Sequence, residues 1–307
     1  TLPLTLFPYT TLFRSQSGRK NLPWQVKTNP YKVWISEIML QQTQVKTVIP
    51  YFLKFVERYP NINSLANSDE DEVLSYWSGL GYYSRGRNLL KSAKILKKDF
   101  NSVMPDTSEE LQLLPGIGKS TAGAILSLGF GIKAPILDGN AKRVLVRYYN
   151  INDPVDLSST VNQLWEIAEN NLPENECDVY TQAIMDVGAL ICKRSNPLCS
   201  KCPLIETCVS RKENKHNLLP IRSPKKEKPV KKLYWLILQN EEGEILLENK
   251  KNKGVWEGLW TFLGFKEEES REEYIEQLNE NYSVIMKDRK IKHSFTQIGR
   301  ASCRERV

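Results

Sequence analysis

The chain contains no run of about eighteen apolar residues, so no segment is expected to cross a membrane as a helix. Histidine is scarce: His216 and His293 are the only two, and neither lies in a ligand-spaced set. The stretch TLPLTLFPYTTLFRS lacks a basic leader and carries prolines and threonines, so it does not read as a signal peptide. There is no internal repeat. A phosphate loop is absent as well, by a narrow margin. LPGIGKSTAGAI (Leu114–Ile125) contains Gly-Lys-Ser-Thr, but an ATP loop needs a glycine five positions before the Gly-Lys pair, and that position is Leu113. Any phosphate bound there must have another source.

The 307 residues suffice for two domains, each with its own core. The two ends are related through their codons. One set of codons for Thr11–Ser15, read as the reverse complement one frame over, encodes Ile298–Ala301. Residues 1–15 and 298–307 are therefore expected to be translations of a sequencing adapter, with the natural protein continuing in both directions. These ends contribute a net +3 of the formal +7, leaving a mild basic bias that permits nucleic-acid binding without establishing it. Cys303 falls in the excluded end, so five cysteines remain.

From Tyr31 to about Cys192 the chain reads as helices with short connections, glycine or proline marking most junctions. In YKVWISEIMLQQTQVKTVIPYFLKFVERYP, Pro50 is expected to mark a break. Residues 16–215 form the expected helical domain, and 216–232, rich in proline and lysine, a linker. Beyond Lys232 the periodicity changes. LYWLILQNEEGEILLENK suggests two strands around a turn at Glu242-Gly243, GLWTFLGF a third, and SREEYIEQLNENY a helix. The expectation is a mainly α protein followed by a truncated α+β domain at 233–297.

Cys192, Cys199, Cys202 and Cys208 have the spacing C-x6-C-x2-C-x5-C, four thiolates within seventeen residues. Zinc sites usually show two short-spaced pairs, and here there is one Cys-x-x-Cys. A disulfide framework lacks a secretory context. A four-cysteine iron–sulfur cluster, [4Fe-4S], fits the spacing of loop 192–208 best, with zinc as the alternative. Cys177 lies outside the set and reads as an ordinary helix cysteine.

That spacing after a helical domain resembles the endonuclease III superfamily of DNA glycosylases, in which the cluster is structural and DNA-associated rather than catalytic. In this light LPGIGKSTAGAI resembles a helix–hairpin–helix motif. Gly116 and Gly118 permit a tight turn and close backbone approach, and the helix starting near Lys119 can offer free N–H groups to a DNA phosphate. Taken alone, the motif would equally suit a plain helical corner. Asp138, in PILDGNAKRVL, could be a helix N-cap. The resemblance implies that it also stabilises positive charge on the scissile sugar, with Asn140 orienting it.

Glu37 sits among Trp34, Ile35, Ile38, Met39 and Leu40, where an apolar setting would raise its pKa; periodicity alone would put it on a polar helix face. The block LPWQ…PYKVWISEIMLQQTQVKTVIPYF with WSGLGYYSRGRNL resembles the MutY-type adenine DNA glycosylases, from about Gly18 to Lys232. The resemblance implies that Glu37 protonates N7 of a flipped-out adenine and that Asp138 then stabilises an oxocarbenium-like sugar. It also implies that Gln42 and Tyr82 wedge the duplex, and that Trp24 and Gln182 line the adenine pocket.

Bifunctional members of the superfamily carry a lysine where this chain has Ser120, and a serine cannot form a Schiff base. Lys119, one position away, points about 100° elsewhere on a helix. A monofunctional glycosylase is therefore expected, rather than an endonuclease III-like pyrimidine-lesion glycosylase/lyase or a non-catalytic cluster protein. The last domain resembles a Nudix-like module that recognises 8-oxoguanine opposite the adenine, with Phe295 and Thr296 in the recognition loop. It lacks the glutamate-rich box of a pyrophosphatase. The implied partner is duplex DNA with A:8-oxoguanine or A:G mispairs, bound by a monomer in the bacterial cytoplasm.

Overall fold

The structure is a computed structural model that describes residues 6, 8–224, 232–250, 258–278 and 291. Two compact units divide near Pro224 and Lys225. The first is helical: α1 Tyr9–Ser17, α2 Pro30–Leu40, α3 Val45–Arg58, α4 Ile62–Ala66, α5 Glu70–Trp77, α6 Ser84–Asp99 and α7 Ser108–Leu113. It continues with α8 Lys119–Ala124, α9 Gly139–Tyr148, α10 Ser158–Asn170, α11 Cys177–Asp186 and the short α12 Val209–Lys212. Helices α8 and α11 run on into π-helical turns, Ile125–Phe130 and Val187–Ile191, which apolar periodicity does not reveal.

Local chemistry explains most starts. Asn29 caps α2 by accepting from the Lys32 amide, with Pro30 at the first helical position. Asp69, Thr107 and Asp138 cap α5, α7 and α9 in the same way. Pro50 does not break its helix: α3 runs through it from Val45 to Arg58. It lies one turn inside the start, so the bond it forfeits is that to the Lys46 carbonyl on an exposed face. The break comes earlier, at residues 41–44, where Gln42 adopts a left-handed φ of 59°.

Two apolar clusters build this unit. One draws on Leu22 to Ala134 and centres on Trp34, Phe52, Phe55, Tyr59 and Trp77. The other joins Phe13, α9, α10 and α11 with Leu204 and Leu219. The π-helical turn after α8 bridges them: Gly129 approaches Pro30 so closely that a Cβ would lie 2.8 Å from its Cα. Because α2 belongs to the first cluster and α9 to the second, Glu37 and Asp138 come from opposite halves.

The segment expected as a tether starts later than residue 216. Leu219 is buried, Arg147 Nε donates to its carbonyl at 2.9 Å, and the Val155 amide donates to Ile221 O at 3.0 Å. At the other end, Tyr9–Ser17, read from codons as largely adapter-derived, forms α1, with Phe13 buried.

The second unit, taken by itself, pairs β1 Tyr234–Leu236 with β4 Leu263–Phe265 and β2 Glu248–Asn249 with β3 Trp260–Thr261, both antiparallel. Helix α13 Glu268–Gln277 packs Tyr274 on Phe265 at 5.4 Å. Gly243, at φ 87°, makes the expected turn. Phe295, Thr296 and Gln297 lie outside the described residues.

Candidate active site

Glu37 occupies the last full turn of α2, next to the buried side chains of Ser36, Ile38 and Met39. Burial, and after it the Asp138 charge, push its carboxyl from 4.5 up to about 7. Part of its surface stays accessible, so the group is desolvated yet reachable. The apolar reading of its surroundings holds over the polar-face alternative.

Asp138 caps α9: Oδ1 accepts from the Ala141 amide at 2.7 Å and Oδ2 from Asn140 Nδ2 at 3.1 Å. Asn140 Oδ1 in turn accepts from Arg143 Nη2 at 2.9 Å. Capping thus fixes the carboxylate without sealing it off, since Asp138 is half-buried. Ser120 Oγ accepts from the Leu137 amide at 3.1 Å, tying the segment before Asp138 to α8. Lys119 is aimed elsewhere, its Nζ 4.3 Å from the Trp165 ring centroid.

In the hairpin, Gly116 has φ 87°, a conformation that favours glycine, and a Cβ there would press on Asn88. Gly118 faces open space at the start of α8, and no side chain caps that end. First-turn amides are left for an outside anion. Gln41 Nε2 donates to Gly116 O at 3.3 Å, linking the hairpin to the turn that carries the exposed Gln42. Tyr82, like Gln42, holds a left-handed φ, 52°.

Gln182 is buried, and its Nε2 donates to Asp186 Oδ1 at 3.1 Å. Asp186 also accepts from Arg19 Nε at 2.7 Å and the Arg19 amide at 3.1 Å, and from Arg14 Nη1 at 3.0 Å. Trp24 packs edge-on against Phe52 at 5.4 Å within the first core, so its contacts are those of a packing residue. Asp186 and Arg19 were not singled out from sequence; the i, i+4 spacing of Gln182 and Asp186 on one helix was the available signal.

Cys192, Cys199, Cys202 and Cys208 line one cavity together with Arg147, Arg211 and His216. Among the described residues no three His, Cys, Asp or Glu side chains converge on a single-ion site. The thiols border a space rather than meeting at a point. Burial pushes the Cys202 thiol up to about 12, so its thiolate form would need a cationic centre beside it. Arg147, 2% exposed, donates to Cys192 Sγ at 3.3 Å, Lys193 O at 2.7 Å and Arg194 O at 3.1 Å, clamping the loop. Cys177 stands apart and donates to Gly131 O at 3.2 Å.

Residues 35–170 match the HhH-GPD superfamily base excision DNA repair protein family, and residues 234–299 match the NUDIX domain. The chain is 46% identical over 296 residues to an adenine DNA glycosylase of Buchnera aphidicola subsp. Baizongia pistaciae, covering 96% of this chain and 84% of that one. It is 40% identical to the human adenine DNA glycosylase over 68% of this chain and 40% of the human protein. A thermostable thymine-DNA glycosylase of known structure shares 28% identity, with a TM-score of 0.62 over 67% of this chain and 94% of that one. An endonuclease III–DNA complex, at 24% identity and TM-score 0.57 over 67% and 92%, shares the fold. Glu37 and Asp138 thus lie within electrostatic reach of each other in a helix–hairpin–helix glycosylase fold followed by a NUDIX domain, and the chain belongs to the adenine DNA glycosylase family.

Proposed function

We propose that this chain hydrolyses the N-glycosidic bond of adenine mispaired with 8-oxoguanine or guanine in duplex DNA, leaving the strand uncut. One observation carries the reading. Two carboxylates from opposite halves sense each other's charge, and one of them, Glu37, is raised to about 7. A raised acid within reach of a second carboxylate's charge is what glycosidic cleavage through an oxocarbenium-like state uses.

An adenine turned out of the stack offers N7 to Glu37, which donates its proton. The C1′–N9 bond then breaks, with its electron pair leaving on the base. Positive charge develops on the sugar beside Asp138, whose carboxylate is oriented by Ala141 and Asn140. Water completes the hydrolysis at C1′. With its amide nitrogen given to Asp186, Gln182 has its Oε1 left to accept from an exocyclic amine such as adenine N6. Ser120, engaged with the Leu137 amide, supplies no amine for a Schiff base.

DNA is held at Gly116, Gly118 and Lys119 through its backbone, while Gln42 and Tyr82 enter the duplex. The four loop cysteines would hold a [4Fe-4S] cluster: the donors are soft, border a cavity and lie beside the Arg147 and Arg211 guanidiniums. When bound, it cross-links residues 192–208 into a rigid loop. Phe295 and Thr296 are proposed to read 8-oxoguanine. The protein is proposed to act as a monomer in the bacterial cytoplasm; among the described residues no helix is long and apolar enough to cross a membrane.

Single-turnover assays on A:8-oxoguanine, A:G and thymine-glycol duplexes test this. Adenine release from the first two, with strand breaks appearing only after alkali, is expected. Release of thymine glycol, or strand breaks without alkali, would overturn the reading.

A further inference from the structure

Arg85, at the start of α6, is 3% exposed. Burying a guanidinium is costly unless its donors are used. Nη1 donates to the carbonyls of Ile38 at 3.0 Å, Met39 at 2.7 Å and Gln41 at 2.7 Å. Nη2 donates to Thr43 Oγ1 at 3.1 Å and Gly81 O at 3.0 Å. The guanidinium also lies 5.4 Å from the Trp77 ring centroid and 5.3 Å from that of Tyr82.

These partners form two sets. Ile38, Met39 and Gln41 supply carbonyls left over at the C-terminus of α2, the helix that carries Glu37. Gln41 and Thr43 flank Gln42, while Gly81 and the Tyr82 ring belong to the second turn. Gln42 and Tyr82 both hold a left-handed φ that is unfavourable for a side-chain-bearing residue, so surrounding bonds must impose it. A lysine could not do this: three donors on one ammonium cannot reach two turns in a planar fork.

We propose that Arg85 is the positioning residue for base extrusion, locking the Gln42 and Tyr82 turns to the end of the Glu37 helix as one rigid wedge. Insertion into the duplex and delivery of the extruded base to Glu37 then happen as a single movement. This rests on the reading of the site as an adenine glycosylase with Gln42 and Tyr82 entering the duplex.

The test uses a duplex with adenine opposite 8-oxoguanine and 2-aminopurine on the 3′ side of the adenine, whose fluorescence rises as neighbours unstack. In a Glu37→Gln background, which blocks chemistry, binding is expected to raise the fluorescence. Adding Arg85→Lys should cut that rise roughly fivefold or more, while Kd, held by backbone contacts, changes less than about threefold. With Glu37 intact, Arg85→Lys should slow single-turnover release about tenfold or more. An undiminished rise would overturn the proposal. Should Arg85→Lys fail to fold, Thr43→Val removes one acceptor without stranding a buried charge. It must show a reduced rise too, and an undiminished one overturns the proposal. A parent that releases no adenine, yet shows an Arg85-dependent rise, would sink the chemistry and leave the positioning role standing. Release by the parent with a rise indifferent to Arg85 sinks the positioning role alone.

Discussion

Arg143 Nε donates to the Cys192 carbonyl at 2.6 Å, joining the helix capped by Asp138 to the first residue of the cysteine loop. The same guanidinium holds Gly188 O at 2.5 Å and Asn140 Oδ1 at 2.9 Å, and Asn140 holds Asp138. The loop therefore has a bonded route to the candidate catalytic carboxylate. Arg143→Gln should slow adenine release by about tenfold to a hundredfold, because a network member oriented by several bonds loses most of them together. Single-turnover rates measured beside thermal midpoints check this. A lowered midpoint with an unchanged rate would show that Arg143 serves the fold alone.

Gly188 offers a steric version of the same test. A Cβ there would lie 2.6 Å from Asn140 Cβ and 2.9 Å from Asn140 backbone atoms, so Asn140 has to move. Gly188→Ala should cost about 1–3 kcal/mol of stability by overpacking. It should also slow release more than an overpacked glycine at the far end of the Glu37 helix, such as Gly129→Ala against Pro30. Denaturant midpoints and single-turnover rates for the two variants make the comparison.

Asp186 has a fully buried side chain with two guanidiniums and the Gln182 amide on it. Removing its charge strands those partners. Asp186→Leu should cost about 3–5 kcal/mol, the penalty of breaking a buried ion pair from one side. Asp186→Asn, which keeps the shape, should cost less. In Asp186→Leu, Gln182 loses its fixed amide orientation and the KM for adenine-containing duplex should rise, whereas Asp186→Asn keeps an acceptor oxygen and should raise it less. Chemical denaturation and steady-state kinetics read the two effects separately.

Glu37 carries a stability cost that follows from its pKa. The folded value, about 7, lies above the ordinary 4.5, so the folded state binds the proton more tightly. Stability from this group is fully present below about pH 4.5 and is lost as pH rises toward 7. Glu37→Gln should therefore be more stable than the parent at pH 8, by about 3 kcal/mol, with the gap closing below pH 4.5. Denaturant titrations at pH 4.5, 6 and 8 check the sign.

Much of this was legible in the sequence because it is written locally. Asp138 as an N-cap, Gly116 in a left-handed turn and the Glu242-Gly243 turn each depend on a few neighbouring residues. The carboxylate pair was legible through family resemblance, and burial then explains why the Glu37 carboxyl is raised. What was not legible depends on long-range partners. Pro50 suggested a break that α3 absorbs near its start, while the real break at Gln42 rests on Arg85, more than forty residues away. Arg143, Arg147 and Asp186 carry the bonds that orient the site, yet a buried arginine looks like a surface one until its acceptors are known.

The most direct test of the account is the pH profile of single-turnover adenine release from an A:8-oxoguanine duplex. With Glu37 as the acid, the rate should be level below neutrality and fall about tenfold per unit above a pKa near 7, and Glu37→Gln should release no adenine at any pH. A parent rate that stays level or climbs from pH 7 to 9, or a Glu37→Gln variant that still releases adenine, would contradict it.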